Sequence, residues 1–96
     1  MSSASEREHL SNHHRNTLRQ LFQHPVSHNI EWDAVMSLLA AVGSAEPQHD
    51  GRVAVTVGSQ TEHFDHHGRK DIDTQTVIDL RRMLSQAGYG ADGKQD

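Results

Sequence analysis

At 96 residues the chain has room for one domain with a small core. Its 33% hydrophobic content and mean hydropathy of -0.75 are low, but the apolar residues fall in periodic blocks, which predicts a folded centre with polar ends rather than disorder. The absence of cysteine excludes disulfides, thiol nucleophiles and thiolate metal sites, and a formal charge of -4 with a pI near 6.1 argues against holding nucleic acid by bulk charge.

The longest apolar run, Ala34 to Val42, is interrupted by Ser37 and falls far short of the roughly 20 residues that span a bilayer. No charged-then-apolar leader opens the sequence, so no membrane association and a cytoplasmic location are expected. Nine histidines would add positive charge below about pH 6.5, making any anion binding a candidate for pH dependence.

In chain order, residues 1–4 read as a disordered tail, and Ser5 followed by Glu8 matches a capping box that starts a helix. Leu10, His14, Leu18, Leu21 and Phe22 form its apolar stripe, and Pro25 ends it. Arg7, His13, Arg15 and Arg19 lie on or beside this helix and read as a solvated face. After the connector Val26 to Ile30, Trp32, Val35, Met36, Leu38, Leu39 and Val42 give the strongest apolar pattern. This predicts the most buried helix, with Trp32 as its core anchor and Gly43 as a left-handed C-terminal cap.

Arg52 to Val57 alternates valine with Arg52, Ala54 and Thr56, as a half-buried strand does. A three-residue loop His49-Asp50-Gly51 puts Ala45 and Pro47 on the valine face, whereas a two-residue turn would put Glu46 and Gln48 there, so the longer loop is expected. A two-residue Gly58-Ser59 turn then pairs Val57 with Gln60, Val53 with Phe64 and Arg52 with Asp65. Apolar meets apolar and plus meets minus. Arg52, Ala54, Thr56, Thr61, His63 and Asp65 are left on the far face, open to function. Asp73 reads as the N-cap of the last helix, with Ile72 and Val77 as a hydrophobic staple. Val77, Leu80, Met83, Leu84 and Ala87 form its buried stripe, Gly88 caps it, and residues 89–96 read as a second disordered tail. The expected class is α+β: helix, helix, three-stranded antiparallel sheet, helix, in a single domain over residues 5–88.

The run from Trp32 to Gly43, the turn Asp50-Gly51-Arg52-Val53, and HHGRKDIDTQTVIDLRRMLSQAGY resemble HicA-type toxins of bacterial toxin-antitoxin systems over about two thirds of the chain. The resemblance implies an α-β-β-β-α core similar to the double-stranded-RNA-binding fold, with the first helix as an addition. It also implies ribosome-independent mRNA cleavage, restrained by a HicB-like antitoxin partner. The family places a catalytic histidine at the start of the second strand, just after the turn; here that position holds Arg52, and the nearest histidine in sequence is His49.

Metal-independent RNA cleavage needs a base for the 2'-hydroxyl proton and a cation for the phosphorane. On the open face His63 and Arg52 are the candidate catalytic pair, with Asp65 placed to orient either. The alternative for Arg52 is a simple exposed ion pair with Asp65. The candidate RNA-binding residues are His49, His66, His67, Arg69, Lys70 and Arg81. His63, Asp65 and His67 share a strand face, but the spacing is a weak metal signal, so neither metal nor cofactor is expected. A different class of function, a non-catalytic protein-interaction module using the open face or the first helix, fits the same pattern.

Overall fold

The computed structural model of the chain describes residues 10–23 and 29–90. The elements run α1 (Asn12–Leu21), α2 (Trp32–Val42), β1 (Ser44–Pro47), β2 (Arg52–Val57), β3 (Gln60–Asp65) and α3 (Thr74–Gln86). The fold is α+β in the expected order, with an antiparallel sheet ordered β1-β2-β3. Among the described residues no helix is long and apolar enough to cross a membrane.

Turn length and valine spacing set the sheet. Gln48 N–H donates to the Arg52 carbonyl at 2.7 Å, closing the three-residue loop His49-Asp50-Gly51, and Pro47 pairs with Val53. Gly58-Ser59 makes the tight turn that pairs Val57 with Gln60, Val53 with Phe64 and Arg52 with Asp65. Gly51 and Gly58 both have positive φ, which glycine adopts without steric cost. Val53, Val55, Val57 and Phe64 therefore enter the core beneath the helices, while Arg52, Thr61, His63 and Asp65 stay off it. Burying each valine stabilises by roughly 1.5–3 kcal/mol. A one-residue slip of β2 would expose three at once, a loss comparable to the roughly 5–15 kcal/mol net stability of a domain.

The first described helix starts later than expected. Ser5 and Glu8 lie outside the described residues, and the N-cap of α1 is Ser11, whose Oγ accepts from His14 N–H at 3.1 Å. Leu10, Leu18 and Leu21 are buried as the stripe requires, and Phe22 is partly buried. Helical geometry ends at Leu21, before Pro25, which is also outside the described residues. His14 Nε2 lies 2.8 Å from Ser37 Oγ and so ties α1 to α2.

Trp32 is 1% exposed at the start of α2, as its anchor role requires. Its N–H donates to the Lys70 carbonyl at 2.7 Å, and Ile72 N–H donates to the Ile30 carbonyl at 2.9 Å. These bonds pair the entries to α2 and α3. Gly43 corrects the expected left-handed cap, since its φ is -170°. Glycine is needed there for a different reason: a Cβ would collide with the Thr56 carbonyl of β2.

At the start of α3, Asp73 Oδ1 accepts from Thr76 N–H at 2.8 Å, and Ile72 and Val77 are both buried as the staple predicts. At its end Gly88 N–H donates to Ser85 O at 3.0 Å and Tyr89 N–H to Leu84 O at 2.9 Å, the Schellman pattern with Gly88 left-handed. The folded unit therefore extends past residue 88. Tyr89 packs against the core, and of the expected tail residues 91–96 lie outside the described residues.

The Thr76 hydrogen bonds, and after them the charge of Arg69, hold the Asp73 carboxyl below its ordinary range despite opposing desolvation. A depressed folded-state pKa means that its stabilisation is present above the unfolded value, about 4, and is lost as pH falls through the folded one. Asp73→Ala is expected to cost about 1 kcal/mol in urea unfolding at pH 7. Asp73→Asn should flatten the decline of stability as pH falls below about 4; an acid limb identical to the parent's would contradict the assignment.

Candidate functional site

The open face ends where two turns meet. The Gly51 carbonyl accepts from both His66 N–H at 3.1 Å and His67 N–H at 2.7 Å, clamping the loop after β3 onto the β1-β2 turn. His67 sits at φ +49°, a left-handed conformation that costs a non-glycine residue roughly 1–2 kcal/mol. Its ring lies where a side chain on Gly51 would have to go. The two bonds to one carbonyl help hold His67 in this conformation and set where its ring points.

This docking builds a charged chain across the face. Arg52 Nε lies 3.3 Å from Asp65 Oδ1 and 3.9 Å from Asp50 Oδ2, while His67 Nε2 lies 3.6 Å from Asp65 Oδ1. Asp50 Oδ1 also accepts from Arg52 N–H at 3.1 Å. Asp65 thus touches two candidates at once: Arg52, as cross-strand pairing predicts, and His67, two residues further along the same face. The sequence marks the second contact only through that shared face. All four side chains are largely exposed, so each pair contributes at most about 1 kcal/mol.

His63 is exposed beside this chain, paired with Ala54 of β2. An open cleft of about 310 Å³ runs from Arg52 along His63, Phe64 and Asp65 to Arg69 and the start of α3 at Asp73, Gln75, Thr76 and Asp79. The expected catalytic pair, Arg52 and His63, therefore lines one concavity together with Arg69. Among the described residues no group of three or more His, Asp or Glu side chains is placed to hold a metal ion.

The other expected RNA-binding residues divide. His49 is exposed at the loop tip, and Arg69 and Lys70 are exposed after the turn. His66 is instead half-buried against Trp32, ring centroids 4.8 Å apart, with Nε2 3.1 Å from the Arg69 carbonyl, so it props the loop from inside. Lys70 Nζ lies 3.9 Å from Glu31 Oε2. Arg81 does not extend the basic patch: its Nε donates to Leu21 O at 2.9 Å and its Nη2 to Gln23 O at 3.4 Å. A cation there satisfies carbonyls that the end of α1 leaves unpaired, which fastens α1 to α3. Arg82 is likewise committed to Glu62 at 2.9 Å and Asp79 at 3.3 Å, and the Glu62 hydrogen bond pushes its pKa further above its ordinary value.

Gly51→Ala should lower stability by more than about 1 kcal/mol, since its positive φ and its closeness to His67 both oppose a side chain. It should also speed amide exchange at His66 and His67, whose acceptor it displaces. Unchanged stability with slow exchange would contradict the clamp. No protein-family model, curated protein or solved structure matches this chain.

Proposed function

We propose that this chain is a HicA-like RNA-binding protein that meets RNA with the open face of its sheet and is held by a HicB-like protein partner. The observation that carries the reading is the joint placement of Arg52, Asp65 and His67 at one end of that face, with His63 and Arg69 around the adjoining cleft. Arginine offers a phosphate two N–H groups in a fixed fork, and histidine exchanges protons near neutral pH. Both groups needed for metal-independent attack of a 2'-hydroxyl on its neighbouring phosphate are thus at hand. In this reading His63 takes the proton and Arg52 meets the charge that develops on phosphate. Single-stranded RNA, whose bases can be splayed out and whose backbone is flexible, can be laid across such a face.

A second reading has an observation of its own. Arg52, Lys70, Arg81 and Arg82 each lie within reach of a protein oxygen, leaving few cations for a backbone that is held mainly by charge. That pattern favours a non-catalytic module whose polar open face binds protein.

Incubating the purified chain with single-stranded RNA in chelator separates the two. Under the first reading RNA is bound and cut, Arg52→Ala and His63→Ala each reduce cutting by at least about tenfold, and binding weakens steeply with salt. Neither binding nor cutting between pH 5 and pH 9 at low salt would overturn it.

A further inference from the structure

We propose that the outer edge of β3 is a self-association surface, where β3 of a second copy of this chain adds antiparallel about a two-fold axis at Phe64 and joins the two sheets into one of six strands.

The backbone pattern leaves this edge open. The bonds from Gln48 N–H to Arg52 O and from His66 N–H to Gly51 O fix the alternation of the ladder. Gln60, Glu62 and Phe64 turn their main chain toward β2, so Thr61, His63 and Asp65 turn theirs outward. The sheet's other edge is protected: β1 has four residues, and Pro47, one of its outward positions, has no N–H to offer. β3 is six residues long, contains no proline and pairs without a bulge. Among the described residues no strand lies beyond it. The cleft described above flanks this edge, with His63, Phe64 and Asp65 on one side and Gln75, Thr76 and Asp79 of α3 on the other.

The sequence of β3 selects a second copy as the occupant. With the axis at Phe64, His63 of each copy stands directly opposite Asp65 of the other, twice over. An imidazole N–H then faces a carboxylate, a favourable pair in either protonation state of the ring. Shifting the axis to His63 puts histidine against histidine, and shifting it to Glu62 puts glutamate against glutamate. Only one of these three registers is complementary.

A second observation lies on the same flank. Ile78, at 44% exposure, is the one exposed large hydrophobic side chain among the described residues. Helical spacing places it on the face of α3 that carries Gln75, Asp79 and Arg82. That face leans over β3, because Arg82 reaches Glu62 and Gln86 bonds Gln60, while the first turns of α3 stand by His63 to Asp65. α3 thus runs antiparallel to β3, and Ile78 sits near the level of Phe64, beside the axis. Strand addition brings the two Ile78 side chains toward each other. It also makes the charged chain composite: Asp65, already beside Arg52 and His67, receives His63 from the other copy.

Light scattering on the purified chain from micromolar concentrations up to about 1 mM tests this without reference to RNA. The expected result is a rise from 10.7 kDa toward twice that mass. His63→Asp, which sets two carboxylates opposite each other, should hold the chain at the monomer mass, as should His63→Pro, which removes an outward N–H that the fold itself does not use. Adding Asp65→His to His63→Asp exchanges the partners and should restore association. Circular dichroism confirms that each variant is folded. A parent that stays monomeric throughout, association that His63→Asp leaves intact, or a double variant that fails to recover would each overturn the proposal.

Discussion

The geometry of the candidate site depends on one carbonyl. Gly51 O accepts the amides of His66 and His67, and this two-to-one contact fixes the loop after β3 against the turn before β2. It sets the position of the His67 ring beside Asp65, while the approach to α3 is held separately by the bonds of Trp32 N–H to Lys70 O and Ile72 N–H to Ile30 O. The contact requires glycine twice over, once for a positive φ and once because the His67 ring occupies the space of a side chain. The energy that holds it is local, a pair of hydrogen bonds worth roughly 0.5–1.5 kcal/mol each against a strained residue of similar cost. The loop is held in place by the surrounding packing, in which Trp32 supports His66 from beneath.

The sheet itself is legible in the sequence. Three alternating valines, a phenylalanine that falls opposite Val53 and an Arg52-Asp65 match select the register, because a one-residue slip moves apolar side chains into water. The Asp73 cap, the Ile72-Val77 staple and the Gly88 cap were also readable, since each is a local pattern of a few residues. What local patterns do not carry is contact between segments far apart in the chain. Gly43 was marked as a helix end, but the Thr56 carbonyl that makes glycine necessary comes from a strand thirteen residues on. Arg81 looked like part of a basic patch beside the histidine loop, yet its carbonyl partners belong to α1, sixty residues earlier.

The same distinction applies to the candidate site. Placement of His63, Arg52, Asp65 and His67 on one face, with His66 turned away, follows from strand alternation, whereas the Trp32 contact of His66 does not. His66 and His67 are adjacent in sequence and opposite in role, one packed on Trp32 and the other turned to Asp65. The left-handed conformation at position 67, which histidine adopts more often than most residues, sets its ring against Gly51, a contact between two turns that strand alternation does not mark. The resulting face is polar and sets Arg52 and Arg69 among the carboxylates of Asp65, Asp73 and Asp79, so affinity for a polyanion would come from a few placed groups rather than from the field of the whole molecule.

A chemical-shift titration of the labelled chain with a short single-stranded RNA, in chelator and at low salt, tests the central claim that the open sheet face is the RNA surface. The account predicts that perturbations cluster on His49, Arg52, His63, His67 and Arg69, and leave the α1 amides from Asn12 to Leu21 in place. Perturbations centred on α1, or none at RNA concentrations in the millimolar range, would contradict it.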